Sequence, residues 1–158
     1  MRSALAWRWA LTRAALAILA RATGTPFTVR GLENLPSGAC VYVSNHASYL
    51  DGPVMVAALP RPVAFVAKAE LMDQYMPRVF LGRLGAEFVE RFDKERVLDD
   101  ARKVAGLARA GRSLMFFAEG TIARMPGLLP FYMGAFVTAA EAGVPVVPIA
   151  IRGTRSML

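Results

Sequence analysis

Asn45-His46-Ala47-Ser48-Tyr49-Leu50-Asp51 limits the possible fold more than any other stretch, because it joins two kinds of segment and holds the only histidine in 158 residues. Residues 39–44 before it are a short β-rich run that reads as a buried strand. Residues 52–59 after it read as a helix whose early Pro53 suits the first turn. The spacing therefore places His46 where a strand ends and a helix begins, which in an open sheet is the crevice at the strands' carboxyl ends. A neutral imidazole takes a proton from a hydroxyl near pH 7, and a carboxylate on its other nitrogen fixes the tautomer and stabilises the imidazolium. Asp51 can fold back across the turn to do this. Equally, it can cap the helix and leave His46 an ordinary loop residue.

The same alternation runs through the chain. Residues 27–30 look like a short first strand, 63–67 and 87–91 like further strands, 113–117 like another, and 146–151 like the last. Residues 70–83 read as a helix interrupted at Pro77. Residues 93–109 read as a helix capped by Asp93, with Val97, Ala101, Val104 and Ala108 as its buried stripe and Gly111 as its stop. Residues 133–142 form a last helix ending at Gly143. Ala118-Glu119-Gly120-Thr121, at a strand end, is a place where glycine lets backbone amides approach an anion or oxyanion. The pattern predicts an α/β fold, with a central mainly parallel or mixed sheet flanked by helices. At 55% hydrophobic composition, 158 residues suffice for one core and not for two.

Residues 1–24 stand apart as a predicted membrane-interface helix. Arg2, Arg8, Arg13 and Arg21 lie in it and no acid appears before Glu33, while Trp7, Leu11, Ala14 and Ile18 fall on one helical stripe. Trp7 and Trp9 are expected at headgroup depth, with the arginines toward anionic lipid. The uncharged run over residues 14–20 is far short of the roughly 20 residues that span a bilayer. The alternatives are a helix docked on its own domain, or a signal peptide, against which Arg8 and Arg13 count. A net charge of +7 favours polyanions, and the positive mean hydropathy favours a lipid surface over nucleic acid, for which no motif is visible. Cys40 has no partner for an intramolecular disulfide, and one histidine without clustered ligands argues against a metal.

The string NHASYLD resembles the N-H-x-S-x-x-D signature of the glycerophospholipid acyltransferase family, which includes lysophosphatidic acid acyltransferases. Three further blocks follow in that family's order. Residues 85–91 resemble its G-x-x-F-[IV]-x-R block, residues 117–121 its F-P-E-G-T-R block and residues 144–149 its V-P-[IV]-[IV]-P block. The resemblance implies transfer of a fatty acyl group from acyl-CoA or acyl carrier protein to the free hydroxyl of a lysophospholipid, most simply 1-acylglycerol-3-phosphate. No cofactor is implied beyond the thioester. His46 would be the base and Asp51 its orienter. Arg91 and Arg124 would contact phosphate, and Glu119, Gly120 and Thr121 would shape the acceptor site. Asn45 and Ser48 would hold the turn by local hydrogen bonds. The methionines at 72 and 76 would line an acyl groove or pack in the core. A peripheral enzyme on the cytoplasmic face of an anionic membrane is the implied location, and residues 25–158 would be an acyltransferase domain lacking C-terminal elements.

The chain departs from the family pattern at several positions. Ile122 stands where arginine follows the threonine, Arg124 arrives two positions late, Ala118 replaces proline, and Tyr132 stands where lysine is common. A diester headgroup such as that of lysophosphatidylethanolamine is therefore an alternative acceptor. The rival readings are a hydrolase with Ser48 or Cys40 as nucleophile, and a basic protein that only binds membranes.

Overall fold

The computed structural model describes residues 2–89, 94–122 and 127–157. Five short strands form one sheet: β1 (Val41–Ser44), β2 (Ala64–Lys68), β3 (Glu87–Val89), β4 (Leu114–Phe117) and β5 (Val146–Ile149). Their order is β3-β2-β4-β1-β5, and every pairing is parallel. Helices α1 (Arg2–Ala22), α2 (Asp51–Ala58), α3 (Tyr75–Arg83), α4 (Lys94–Arg109) and α5 (Gly134–Ala142) cover both faces. An interior strand shows why: all four residues of β1 are buried, as a parallel strand between two helical layers requires.

Each face has its own core. Cys40 and Tyr42 point with Trp9 of α1, Met55 and Val56 of α2, and Leu84 just past α3. Val41 and Val43 point to the opposite side, with Val104 and Ala108 of α4 and Ala135 and Ala139 of α5. The chain thus leaves β1 for one face, through α2, and leaves β4 for the other, through α5. Because β1 and β4 are neighbours in register from Val41–Leu114 to Ser44–Phe117, the crevice between their carboxyl ends is a topological switch point.

Local signals set several boundaries. Helix α4 stops as Gly111 takes φ 87°, its amide bonding Ala108 O while the Arg112 amide reaches Leu107 O. Gly143 ends α5 in the same way, at φ 67°. Pro77 does not interrupt a helix. The segment from 69 to 73 is a 3-10 turn, and α3 begins at Tyr75, so Pro77 falls in the first turn, where a missing amide hydrogen costs nothing. Residues 27–30 form no strand: they pair with nothing and are largely exposed, and the free edges of the sheet at β3 and β5 stay unjoined by them. The proposed cap Asp93 lies outside the described residues, as does the side chain of Val97.

Helix α1 has two apolar sides. Trp9 is 2% exposed and its Nε1–H donates to Leu59 O at 3.4 Å, while Arg13 Nε–H donates to Ala57 O at 3.2 Å. The expected headgroup position of Trp9 is therefore overturned: the core claims that ring, and Arg13 fastens the end of α2. Trp7, Leu11 and Ile18 remain 68%, 58% and 68% exposed, so the predicted stripe faces away from the protein. Among the described residues no helix is long and apolar enough to cross a membrane.

Candidate active site

The loop from β1 to α2 carries His46, and the first residue of α2 is Asp51. Asp51 is completely buried, and its Oδ2 lies 3.0 Å from His46 Nδ1, 2.6 Å from the Ala47 amide and 2.9 Å from the Ser48 amide. The two amides donate, and since a carboxylate only accepts, the imidazole carries its hydrogen on Nδ1. Burial pushes the Asp51 carboxyl up, but the hydrogen bonds from His46, Ser48 and Ala47, with the nearby Thr154 hydroxyl, together outweigh it and hold the carboxyl below its usual range. The helix N-terminus adds a favourable field for the anion.

The His46 side chain keeps 20% of its surface exposed, and Nε2 has no hydrogen bond among the described residues. Its ring lies on Phe117 at the end of β4, centroid to centroid 4.1 Å and nearly parallel at 12°. An apolar plate under one face fixes the ring plane and leaves the other to a ligand.

Glu119 joins the two loops. Its Oε1 accepts the His46 amide at 2.8 Å and its Oε2 accepts the Leu129 amide at 2.7 Å, and it is 3% exposed. With each oxygen on a backbone amide, the carboxylate ties the His46 loop to the segment before α5. Gly120, at φ 66°, gives its amide to Phe117 O in a tight turn, so that amide does not serve an oxyanion. Thr121 is exposed. Asn45 is not a local turn residue either: its Nδ2 donates to Ile151 O at 3.0 Å and its Oδ1 accepts the Ile151 amide at 2.8 Å, tying the loop to the chain beyond β5. Ser48 behaves as expected, its Oγ accepting the Leu50 amide at 3.2 Å. Arg91 and Arg124 lie outside the described residues.

A cavity of about 670 Å³ opens beside Phe117, Gly120 and Thr121 on the α4–α5 side of the sheet. Val66, Val104, Phe116 and Ala135 line its depth, and Lys68, Glu70 and Asp100 stand among its walls. Its size is that of an ordinary small-molecule site. Met72, Tyr75 and Met76 are not part of it. They are 42%, 70% and 73% exposed, neither a groove nor a core. The geometry also disposes of the hydrolase reading: Cys40 is wholly buried at the start of β1, against Ser113, and Ser48 is 4% exposed with no bond to His46. Among the described residues no cluster of histidine, cysteine and carboxylate side chains could hold a metal ion.

Comparison with known proteins decides the family. The family model described as acyltransferase matches residues 26–152. The chain belongs to the acyltransferase family. Within that family, a chloroplastic 1-acyl-sn-glycerol-3-phosphate acyltransferase of Brassica napus is 37% identical over 132 residues, 82% of this chain and 38% of that protein. A lyso-ornithine lipid O-acyltransferase of Pseudomonas aeruginosa is 35% identical over 144 residues, 91% of this chain and 52% of that protein. Among solved acyltransferase structures, the 1-acyl-sn-glycerophosphate acyltransferase of Thermotoga maritima is similar with a TM-score of 0.67 and 29% identity, covering 81% of this chain and 51% of that one. This chain therefore spans about half, or less, of the length of these relatives.

Proposed function

We propose that this chain carries the acyl-transfer site of a lysophospholipid acyltransferase, which moves a fatty acyl group from acyl-CoA or acyl carrier protein to the free hydroxyl of 1-acylglycerol-3-phosphate. The observation that carries the reading is the His46–Asp51 pair, with Nδ1 held and Nε2 open, at the switch-point crevice. In this reading Nε2 takes the proton of the acceptor hydroxyl as its oxygen attacks the thioester carbonyl. Collapse of the tetrahedral intermediate breaks the carbon–sulfur bond, and the leaving thiolate takes the proton back from the imidazolium. Asp51, held ionised, stabilises the imidazolium between the two transfers. The thioester supplies the free energy, so no cofactor takes part. The cavity beside Phe117 suits the acyl chain in its depth and polar groups at its walls.

The enzyme works as a peripheral protein on the cytoplasmic face of an anionic membrane. Supporting this, Tyr49, Met72, Tyr75, Met76, Leu128 and Met133 are all exposed apolar side chains on segments that follow β1, β2 and β4, the strands that end at the crevice. The outward stripe of α1 adds a second apolar face beside arginines.

A second acceptor class has its own support. The Pseudomonas relative is named for an ornithine lipid, and Ile122 and Tyr132 stand here where the family pattern has cations. The test is acyl transfer from an acyl thioester to lysophosphatidic acid, lysophosphatidylethanolamine and lyso-ornithine lipid, comparing wild type with His46→Ala. Transfer to lysophosphatidic acid that disappears in the variant supports the reading; transfer confined to another acceptor replaces it, and a folded wild type inert toward all three refutes it.

A further inference from the structure

The chain beyond β5 takes no part in the chemistry above, yet it brings a buried polar group to the His46–Asp51 pair. Thr154 opens the 3-10 turn Thr154–Met157, is 3% exposed, and its Oγ1 is buried without a hydrogen-bond partner. Asp51 presents the matching defect: Oδ2 takes three hydrogen bonds, while Oδ1 is buried and takes none. A hydroxyl has one hydrogen to give and a carboxylate oxygen can only accept, so the two unsatisfied atoms are complementary. They are also neighbours, since the Thr154 hydroxyl is among the groups that keep the Asp51 proton easily lost. The segment is fastened from the other side, where Asn45 bonds both the carbonyl and the amide of Ile151, just before Thr154.

We propose that Thr154 is a positioning residue for the pair: its hydroxyl donates to Asp51 Oδ1 and fixes the carboxylate plane that presents Oδ2 to His46 Nδ1. The inference rests on the reading of His46 as the base. The charged groups at this corner are His46 itself, Glu119 through the His46 amide, and Arg152 and Arg155 on either side of Thr154 in the chain.

His46 is the sole histidine, so its ring titration and tautomer can be followed by NMR on histidine-labelled protein, with no acyl transfer involved. Thr154→Val keeps the side-chain shape and removes the donor, whereas Thr154→Ser keeps the donor. Without the hydroxyl the carboxylate charge is less offset and the imidazolium is favoured. The His46 midpoint should rise in the valine variant, with a weaker Nδ1–H signature, and stay at the wild-type value in the serine variant. A folded valine variant with wild-type midpoint and tautomer overturns the proposal. So does a serine variant displaced as far as the valine one, since packing of the methyl would then be the cause. Thr154→Ala gives the same reading should the valine variant not fold. In the transfer assay, Thr154→Val should lower kcat about tenfold at unchanged acceptor KM. A wild type that transfers nothing sinks the acyltransferase reading and leaves the NMR result to decide the Thr154 contact.

Discussion

Asp51 and Glu119 are both buried carboxylates beside one histidine, and their bonding separates their work. Asp51 spends one oxygen on His46 and two amides; Glu119 spends both on backbone. His46→Ala should therefore lower kcat about 10²–10⁴-fold at unchanged stability, measured by acyl transfer beside a thermal melt. Glu119→Gln leaves one buried amide without an acceptor and should cost about 1–3 kcal/mol in denaturant unfolding. Asp51 gives a pH signature. Its folded carboxyl is held below the unfolded value, so the stability it supplies is complete above about pH 4 and is lost as pH falls through the lower folded value. Asp51→Asn should flatten the acid limb of the stability–pH curve; an unchanged limb would mean that the carboxyl is not held down. The His46–Asp51 pair was legible because its spacing is local and its loop is short. The partners of Asn45 and the place of Thr154 were not, since both contacts join segments that only the finished sheet brings together.

At the scale of elements, α1 divides one amphipathic pattern between two environments. Trp9→Ala should destabilise the protein by about 3–5 kcal/mol, because a large ring leaves the core. Trp7→Ala should change stability by less than about 0.5 kcal/mol and yet weaken flotation with anionic vesicles. Equal effects at both positions would refute this division. The sequence pattern marked the stripe through Trp7, but Trp9 was expected at headgroup depth beside it, because composition alone does not say which of two apolar faces meets the sheet. Strands β1, β2, β4 and β5 were legible as short buried runs between turn residues. The false strand at 27–30 had the right composition but joins neither edge strand of the sheet, β3 or β5, which no local pattern reveals.

At the scale of the molecule, the net charge of +7 and the exposed apolar rim are the two features on which the proposed membrane binding rests. Vesicle binding should weaken as salt is raised, and should survive in part through the apolar contacts. Binding indifferent to both salt and anionic lipid would refute the electrostatic share. The strand order carries a different consequence. Strand β1 does not meet β2, its neighbour in sequence: it pairs at Val41 with Leu114 on one side and with Val146 on the other. Among the described residues no hairpin nucleates the sheet, and the loop from Ser44 to Leu114 must close before β1 finds its first partner. During synthesis the histidine loop emerges before β4, so the crevice between β1 and β4 forms only after Phe117 has left the ribosome. Until then the valine-rich edges of β1 stand open to other chains, so folding at low protein concentration should raise the yield of native protein.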